Sequence, residues 1–458
     1  MGSRAMLTGA DCFLRAVDGE VRRFNGASHL SQLILRLGPG FNLGAFRELV
    51  ASVARATPIM CAPIGRRFGL GLPAYLLARA PFAPLPTIMV HDALSAIAPS
   101  SSGDAALPAI FEERLNARFA LEHGELLRFD VVRYDGGAQC TDLAMTWAHL
   151  LLDGAGSELL IRYIDDCFRG RRPIGDLRYC GAPLASRPRT LVELAQRVRK
   201  WKMQINRFNA APPRSLGGPR RRVAQAIAYD VVTLSRDETA IVTRRAAAHA
   251  GALTPVLFYL AAVMRAHDAV FTARGKDPGH YLVPVPVNLR PKGVEGTVFR
   301  SNISLIWFHV ARKHVGEFAG LVEELKQQRR ASIRDGLIES TSAVLSLLRV
   351  MPARLNAWLA RSNLGGELAS FYFAFTGEFL PGLDSFFGAE ILNGFHAPSV
   401  MPSPGSSVVM SIRDGRLNVT FIYQRGAVGD DECLLLREQL LDDLLGRTHT
   451  ADRLLSSA

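Results

Sequence analysis

Runs of continuous or alternating apolar residues alternate along this chain with segments where apolar residues return every three to four positions. The first rhythm fits strands and the second amphipathic helices. Apolar runs predict strands over 29–37, 124–134 and 141–148, and helical spacing predicts helices over 43–56 (Leu43, Phe46, Leu49, Val50, Val53), 107–119 and 157–168. Asp135-Gly136-Gly137 is a hairpin signal joining the second and third of these strands. The Gly-, Pro- and aromatic-rich stretch 63–90 is expected as a loop folded over the core or as an apolar lid, and 99–104 as a turn.

The rhythm repeats after residue 190. Helices are predicted over 190–208, 235–250 (Ser235 as N-cap, Asp237 and Glu238 in the first turn, Gly251 at the end) and from Thr254-Pro255 to about 267, with Thr254 as N-cap. A strand is predicted over 224–234. The segment 281–289 is extended, with two prolines that favour a bend or a free edge, and another strand follows over 302–310. Helices over 318–333 and 342–359, strands over 371–376, 407–412 and 416–423, and a closing helix over 432–445 complete the chain, with Asp414-Gly415 joining the last two strands.

Each half thus runs strand, helix, further strands, helix. That predicts an α/β (α+β) protein of two domains, each a mixed sheet with helices, and a ligand site at the seam between them. Between residues 191 and 222 nine Lys/Arg face a single acid, Glu193, and 210–219 has linker composition. The expected division is therefore 1–205, a basic Pro/Gly linker at 206–222, and 223–458.

Composition narrows the class. With 458 residues, 48% hydrophobic and 21% charged, the chain can bury a sizeable core. Its six cysteines form no CxxC pair, which argues for a reducing compartment and against a disulfide framework or structural zinc, so no metal is expected. The first six residues lack the apolar core of a signal peptide, and the longest apolar helix candidate, 256–264, falls short of the roughly 20 residues of a membrane span. The expectation is a cytoplasmic monomer, at most peripheral to a membrane. The net charge of +12 favours acidic partners such as phosphates, an acidic carrier protein or an anionic membrane face. Nucleic acid is not expected, because no zinc-finger spacing or RNP-like aromatic motif is present.

One stretch carries chemistry: His149-Leu150-Leu151-Leu152-Asp153-Gly154, at the end of the strand predicted over 141–148. An imidazole titrates near ambient pH, so His149 is suited to take a proton from an attacking hydroxyl or amine. Asp153 invites a triad in which the carboxylate orients the imidazole. Gly154 either takes a backbone conformation closed to other residues or simply starts the helix. No Gly-x-Ser-x-Gly elbow is present to suggest a serine hydrolase.

His149-x-x-x-Asp153-Gly154 resembles the HxxxD(G) motif of the CoA-dependent acyltransferase superfamily. That superfamily includes chloramphenicol acetyltransferase, BAHD acyltransferases, wax ester synthases, polyketide-associated acyltransferases and the condensation domains of peptide synthetases. Asn116-Ala-Arg-Phe119 and Gly124-Glu-Leu-Leu-Arg128 resemble the usual run-up, and Gly251-Ala-Leu-Thr254, the run from Val283 to Arg290 and Ser301-Asn302 follow in the family's order. The chain departs from condensation domains at Ala148, where they usually carry a second His, and from BAHD enzymes in lacking DFGWG.

The resemblance implies two chloramphenicol-acetyltransferase-like domains with the active site in the channel between them. It implies acyl transfer from a thioester to a hydroxyl, less readily an amine, with His149 as general base. A condensation-type enzyme on carrier-bound substrates, or a non-catalytic binder of the same fold, is the alternative. It also implies that Asp153 turns away from the base and pairs with an Arg of the second domain, by position Arg290. Ser301 and Asn302, with Thr376 as a further candidate, fall where relatives line the channel or bind the oxyanion. No bound cofactor is implied; acyl-CoA or a phosphopantetheine thioester is the co-substrate. The partners implied are a small-molecule or lipid acceptor and an acidic acyl carrier protein.

Overall fold

A computed structural model describes residues 4–66, 72–77, 84–93, 107–134, 140–177, 190–219, 226–290, 297–347, 366–401 and 403–447, with single positions at 188, 349, 351, 355, 358 and 364. The turns expected at 99–104 and 135–137, and the arginines at 220–222, lie outside the described residues.

Two sheets carry the architecture. The first has six strands in the order Ser385–Phe386, Ala389–Pro398, Leu30–Leu37, Thr141–Ala148, Leu127–Tyr134, Thr87–Ala93, and only the last pair is parallel. The second has four, in the order Tyr372–Glu378, Ser406–Arg413, Arg416–Gln424, Ile227–Thr233, of which the first pair is parallel. A ribbon of His280–Asn288 and Ile303–Ala311, and a small sheet of Arg4–Met6, Ala74–Leu76 and Ile64–Gly65, complete the strands. The fold is mixed α/β, as the pattern predicts. Ala389–Pro398 follows the linker in sequence yet pairs with Leu30–Leu37, so the second half of the chain extends the sheet of the first.

Several elements depart from expectation. The helix Gly9–Asn25, not among the predicted elements, opens on a Thr8/Asp11 capping box and buries Leu14, Val17 and Val21 at helical spacing together with Asp11, Asp18 and Glu20. Within 63–90 the described parts form short strands rather than a loop or lid: Tyr75 is fully buried, and Thr87–Ala93 begins the sheet edge. The segment expected as linker from residue 206 begins inside the helix Leu191–Ala210. Thr254 does not cap the next helix; its hydroxyl donates back to the Ala250 carbonyl, and the helix runs Val256–Ala273. This helix of 18 residues is long and apolar enough to cross a membrane by length and composition only, but 67% of it is buried in the protein as a core helix. The helix expected over 342–359 is Leu337–Leu347 in its described part.

The prolines of the 281–289 segment explain themselves. In His280–Asn288 the odd positions face the partner strand, as the Leu289 N–H bond to the Asn302 carbonyl at 2.9 Å shows, while Leu282 N–H points the other way, to Ser370 Oγ at 3.1 Å. Pro284 and Pro286 share the parity of Leu282. Their missing N–H groups therefore fall on the other edge, and the ladder loses no donor.

The core of the first sheet holds Trp147, Leu150, Leu151 and Leu152 together with Val298, Phe299, Phe379 and Ile422 from the second half. The seam between the halves is thus packed as core, and the His149 loop lies in it.

Candidate active site

Strand Thr141–Ala148 is buried at every position and delivers His149 to its end. The loop is then fixed from within by its leucines, which are 2%, 0% and 0% exposed at 150, 151 and 152. Their carbonyls are fixed as well: Tyr75 OH donates to Leu150 O at 3.0 Å, and Arg300 N to Leu151 O at 2.8 Å. Arg300 takes this position with φ at 77°, a left-handed backbone that a non-glycine residue adopts only where its surroundings enforce it.

The Leu152 carbonyl sets the chemistry of His149. It accepts from Trp147 Nε1 at 2.9 Å and stands 3.2 Å from His149 Nδ1. A carbonyl only accepts, so Nδ1 carries the proton and Nε2 presents a lone pair. Burial lowers the His149 pKa below the ordinary 6.5, against the opposing pull of the Leu152 carbonyl and the Asp153 charge. The ring is therefore neutral at pH 7, as a base must be.

Asp153 is engaged elsewhere. It caps the helix Gly154–Phe168, accepting from Gly156 N at 2.8 Å, and its Oδ2 accepts from Asn302 N at 2.8 Å and Arg290 Nη1 at 2.9 Å. Arg290 Nη2 lies 2.8 Å from Oδ1, and both side chains are buried. The carboxylate thus joins the loop to the Arg290 side chain and the Asn302 backbone of the second half.

Gly154 needs no special backbone: it opens the helix, and a Cβ there would lie 3.8 Å from the His396 ring, an ordinary contact. The demanding glycine is Gly156, where a Cβ would overlap the Val298 carbonyl oxygen and stand 3.1 Å from Asp153 Oδ1. Nothing in the motif spacing pointed to it. Asn302 spends its side-chain amide on Thr297 Oγ1 and the Arg300 carbonyl, and Thr376 its hydroxyl on the Met410 carbonyl. Ser301 keeps a buried Oγ without a hydrogen bond to any described residue, while its N–H donates to Asp11 Oδ1 at 3.2 Å.

Two more imidazoles adjoin the loop, neither marked by sequence spacing. His29 stands beside His149, ring centroids 5.1 Å apart and tilted 35°. His396 faces Gly154 and places Nε2 3.1 Å from Ser157 Oγ and 3.9 Å from Glu158 Oε1. Burial pushes His396 down to about 4 and Glu158 up to about 7. A hollow of about 350 Å³, lined by Arg15, Asp18, Arg22 and Arg66 among others, adjoins this cluster through Asp18, which also accepts the His29 N–H at 2.9 Å.

No family model matches the sequence, and no curated protein matches it. Solved structures do. The first condensation domain of the CDA synthetase superposes with a TM-score of 0.69 at 17% identity, over 97% of this chain and 96% of that one. The chain has the condensation-domain fold. The same fold is found in the trichothecene 15-O-acetyltransferase TRI3 from Fusarium sporotrichioides (TM-score 0.67, 12% identity, 96% and 95% of the two chains). It is found too in the starter condensation domain of rhizomide synthetase RzmA, solved with C8-CoA and Leu-SNAC (TM-score 0.65, 12% identity, 96% and 94%). At these identities the likeness is one of fold, and the chemistry rests on the residues of this chain.

Proposed function

We propose that this protein is an acyltransferase moving an acyl group from a thioester, on CoA or on a carrier protein, to a hydroxyl acceptor, with His149 as general base. The observation that carries this reading is the single orientation of His149: Nδ1–H toward the Leu152 carbonyl, Nε2 bare, the loop locked by Asp153 and Arg290. Nε2 takes the acceptor proton as its oxygen attacks the thioester carbonyl. The tetrahedral intermediate collapses by expelling the thiolate, which receives that proton from His149. The basic surface suits donors that carry phosphate. The likeness to an acetyltransferase and to a condensation domain solved with C8-CoA supports thioester chemistry.

A second reading, condensation of carrier-bound substrates, draws support from the end-to-end superposition on the CDA synthetase condensation domain. The two readings separate in one experiment: thiol release from a panel of acyl-CoAs, with and without alcohols and amines, by wild type and His149→Ala. Turnover lost in the variant supports the base. Equal turnover in both removes His149 from the chemistry, and wild-type silence with every CoA donor, followed by turnover of phosphopantetheinyl carrier thioesters, selects the second reading.

A further inference from the structure

Among the described residues the enclosed histidines divide into two kinds. His267 shows what a structural one looks like: Nδ1 lies 2.8 Å from the Val263 carbonyl, Nε2 3.2 Å from Ser406 Oγ, and the ring stacks on Phe371 at 4.1 Å. The half-buried His309 likewise has Nε2 on the Ala211 carbonyl at 2.9 Å. His29 is different. It is 8% exposed and its ring makes no hydrogen bond to any described residue; its Nδ1 is fully enclosed without a partner, as is that of His396, whose Nε2, however, meets Ser157 Oγ. An enclosed polar atom without a partner is costly and rare in folded proteins, and where it occurs it needs an explanation.

The position of His29 is fixed with care. Leu30 pairs with Ala148, so the ladder brings His29 opposite His149, and His149 N–H donates to the His29 carbonyl at 3.0 Å. From behind, the His29 N–H is held by Asp18 Oδ1, whose Oδ2 accepts from Arg22 Nε at 2.6 Å, while Arg22 Nη2 donates to the Phe119 carbonyl at 2.6 Å. Three elements thus set the backbone on both sides of a ring that is itself unbonded and lies 5.1 Å from the ring of His149.

We propose that His29 is a second imidazole of the acyl-transfer site, donating its Nε2–H to the thioester oxygen as negative charge develops there. This rests on the acyl-transfer reading and adds a residue that its motif does not contain. An enclosed N–H without an acceptor is the rarer arrangement, so the bare enclosed nitrogen is Nδ1 and the proton of the neutral ring sits on Nε2. As the acceptor oxygen bonds to the acyl carbon and His149 Nε2 takes its proton, the carbonyl π electrons move to oxygen. The His29 ring stands 5.1 Å from that of His149, beside the base that takes the proton, and a neutral imidazole is a competent donor of this kind. Burial and the neighbouring His149 hold His29 well below the ordinary imidazole pKa, so it stays neutral when His149 becomes positive and does not repel it.

The test uses the full chain with 15N-labelled histidines and the carba(dethia) analogue of octanoyl-CoA, in which a methylene replaces the sulfur. The expected result is an Nε2–H tautomer at His29, Nδ1–H at His149, and shifts of both rings on addition of the analogue. In thiol release from octanoyl-CoA, His29→Phe and His29→Asn should lose roughly 100-fold in kcat with KM little changed, the size of effect seen when an oxyanion donor is removed. His29→Gln, whose amide N–H falls near the position of Nε2, should recover much of that loss. A His149 shift with His29 unmoved, or an Nδ1–H tautomer at His29, overturns the role of His29 and leaves His149 as base. No shift at either ring overturns both. Should His29→Phe not fold, the contrast between Asn and Gln decides.

Discussion

Arg290 Nη1 donates to Asp153 Oδ2 at 2.9 Å, its Nη2 stands 2.8 Å from Oδ1, and the His149 ring bonds the Leu152 carbonyl instead of this carboxylate. The Asp of the motif is therefore a clamp across 137 residues of sequence rather than the third member of a triad. Asp153→Asn leaves the buried guanidinium without its charge partner and should cost roughly 3–5 kcal/mol in stability, read from urea unfolding. Combined with Arg290→Met, the double variant should lose less than the sum of the singles. The pH dependence of thiol release should stay where it is in the wild type. Normal stability with a displaced pH profile would restore the triad.

Gly154 and Gly156 should respond in opposite ways. At Gly154 an alanine meets only ordinary contact with His396 and gains helix propensity, so its stability should stay within about 1 kcal/mol of wild type. At Gly156 the new methyl collides with the Val298 carbonyl and crowds the Asp153–Arg290 pair, which should cost roughly 1–3 kcal/mol. Thermal unfolding of the two alanine variants decides it, and equal melting temperatures would sink the argument.

What the sequence disclosed, and what it withheld, follows from distance along the chain. The His149 loop was legible because base, leucines and Asp153 lie within five residues at the end of an apolar run, and the Arg290 partner followed from family order. His29 and His396 were not, since they reach the loop only through strand pairing: Leu30 with Ala148, and His396 with Leu33. The strand Ala389–Pro398 was missed because Asn393, Gly394 and Pro398 interrupt its apolar pattern. Its register with Leu30–Leu37 spans more than half of the chain, which no local rhythm encodes. Gly156 is required by a carbonyl some 140 residues away, and only the folded chain brings the two together.

The base should work well into mild acid. Burial lowers the His149 pKa below 6.5, so the ring loses its activity-bearing lone pair only at a pH under that value. The acid limb of kcat/KM for thiol release should therefore fall below pH 6.5. Stability should fall in the same direction. His267 and His396 are both pushed down to about 4 by burial, whereas the unfolded chain protonates them near 6.5. Between those values the unfolded state binds more protons, so stability is full above 6.5 and drains as pH falls toward 4, by up to roughly 3 kcal/mol for each ring. Urea midpoints at pH 7 and pH 4.5 measure it; a flat or rising midpoint on acidification would contradict the neutral burial of both rings.

Glu158 should act with the opposite sign. Burial raises its pKa from 4.5 to about 7, despite the Leu380 N–H that bonds Oε2 at 2.8 Å and the charge of Arg162. Between those values the folded chain holds a proton that the unfolded chain releases, so this group costs stability as pH rises through the window. The cost is complete above pH 7, at roughly 3 kcal/mol. Glu158→Gln keeps an acceptor for Leu380 N–H and removes the ionisation. It should leave the melting temperature nearly unchanged at pH 5, where both residues are neutral, and raise it at pH 8. Stabilisation of equal size at both pH values would mean that Glu158 is not held protonated, and that its place 3.9 Å from His396 Nε2 is an ion pair rather than a contact of two neutral groups.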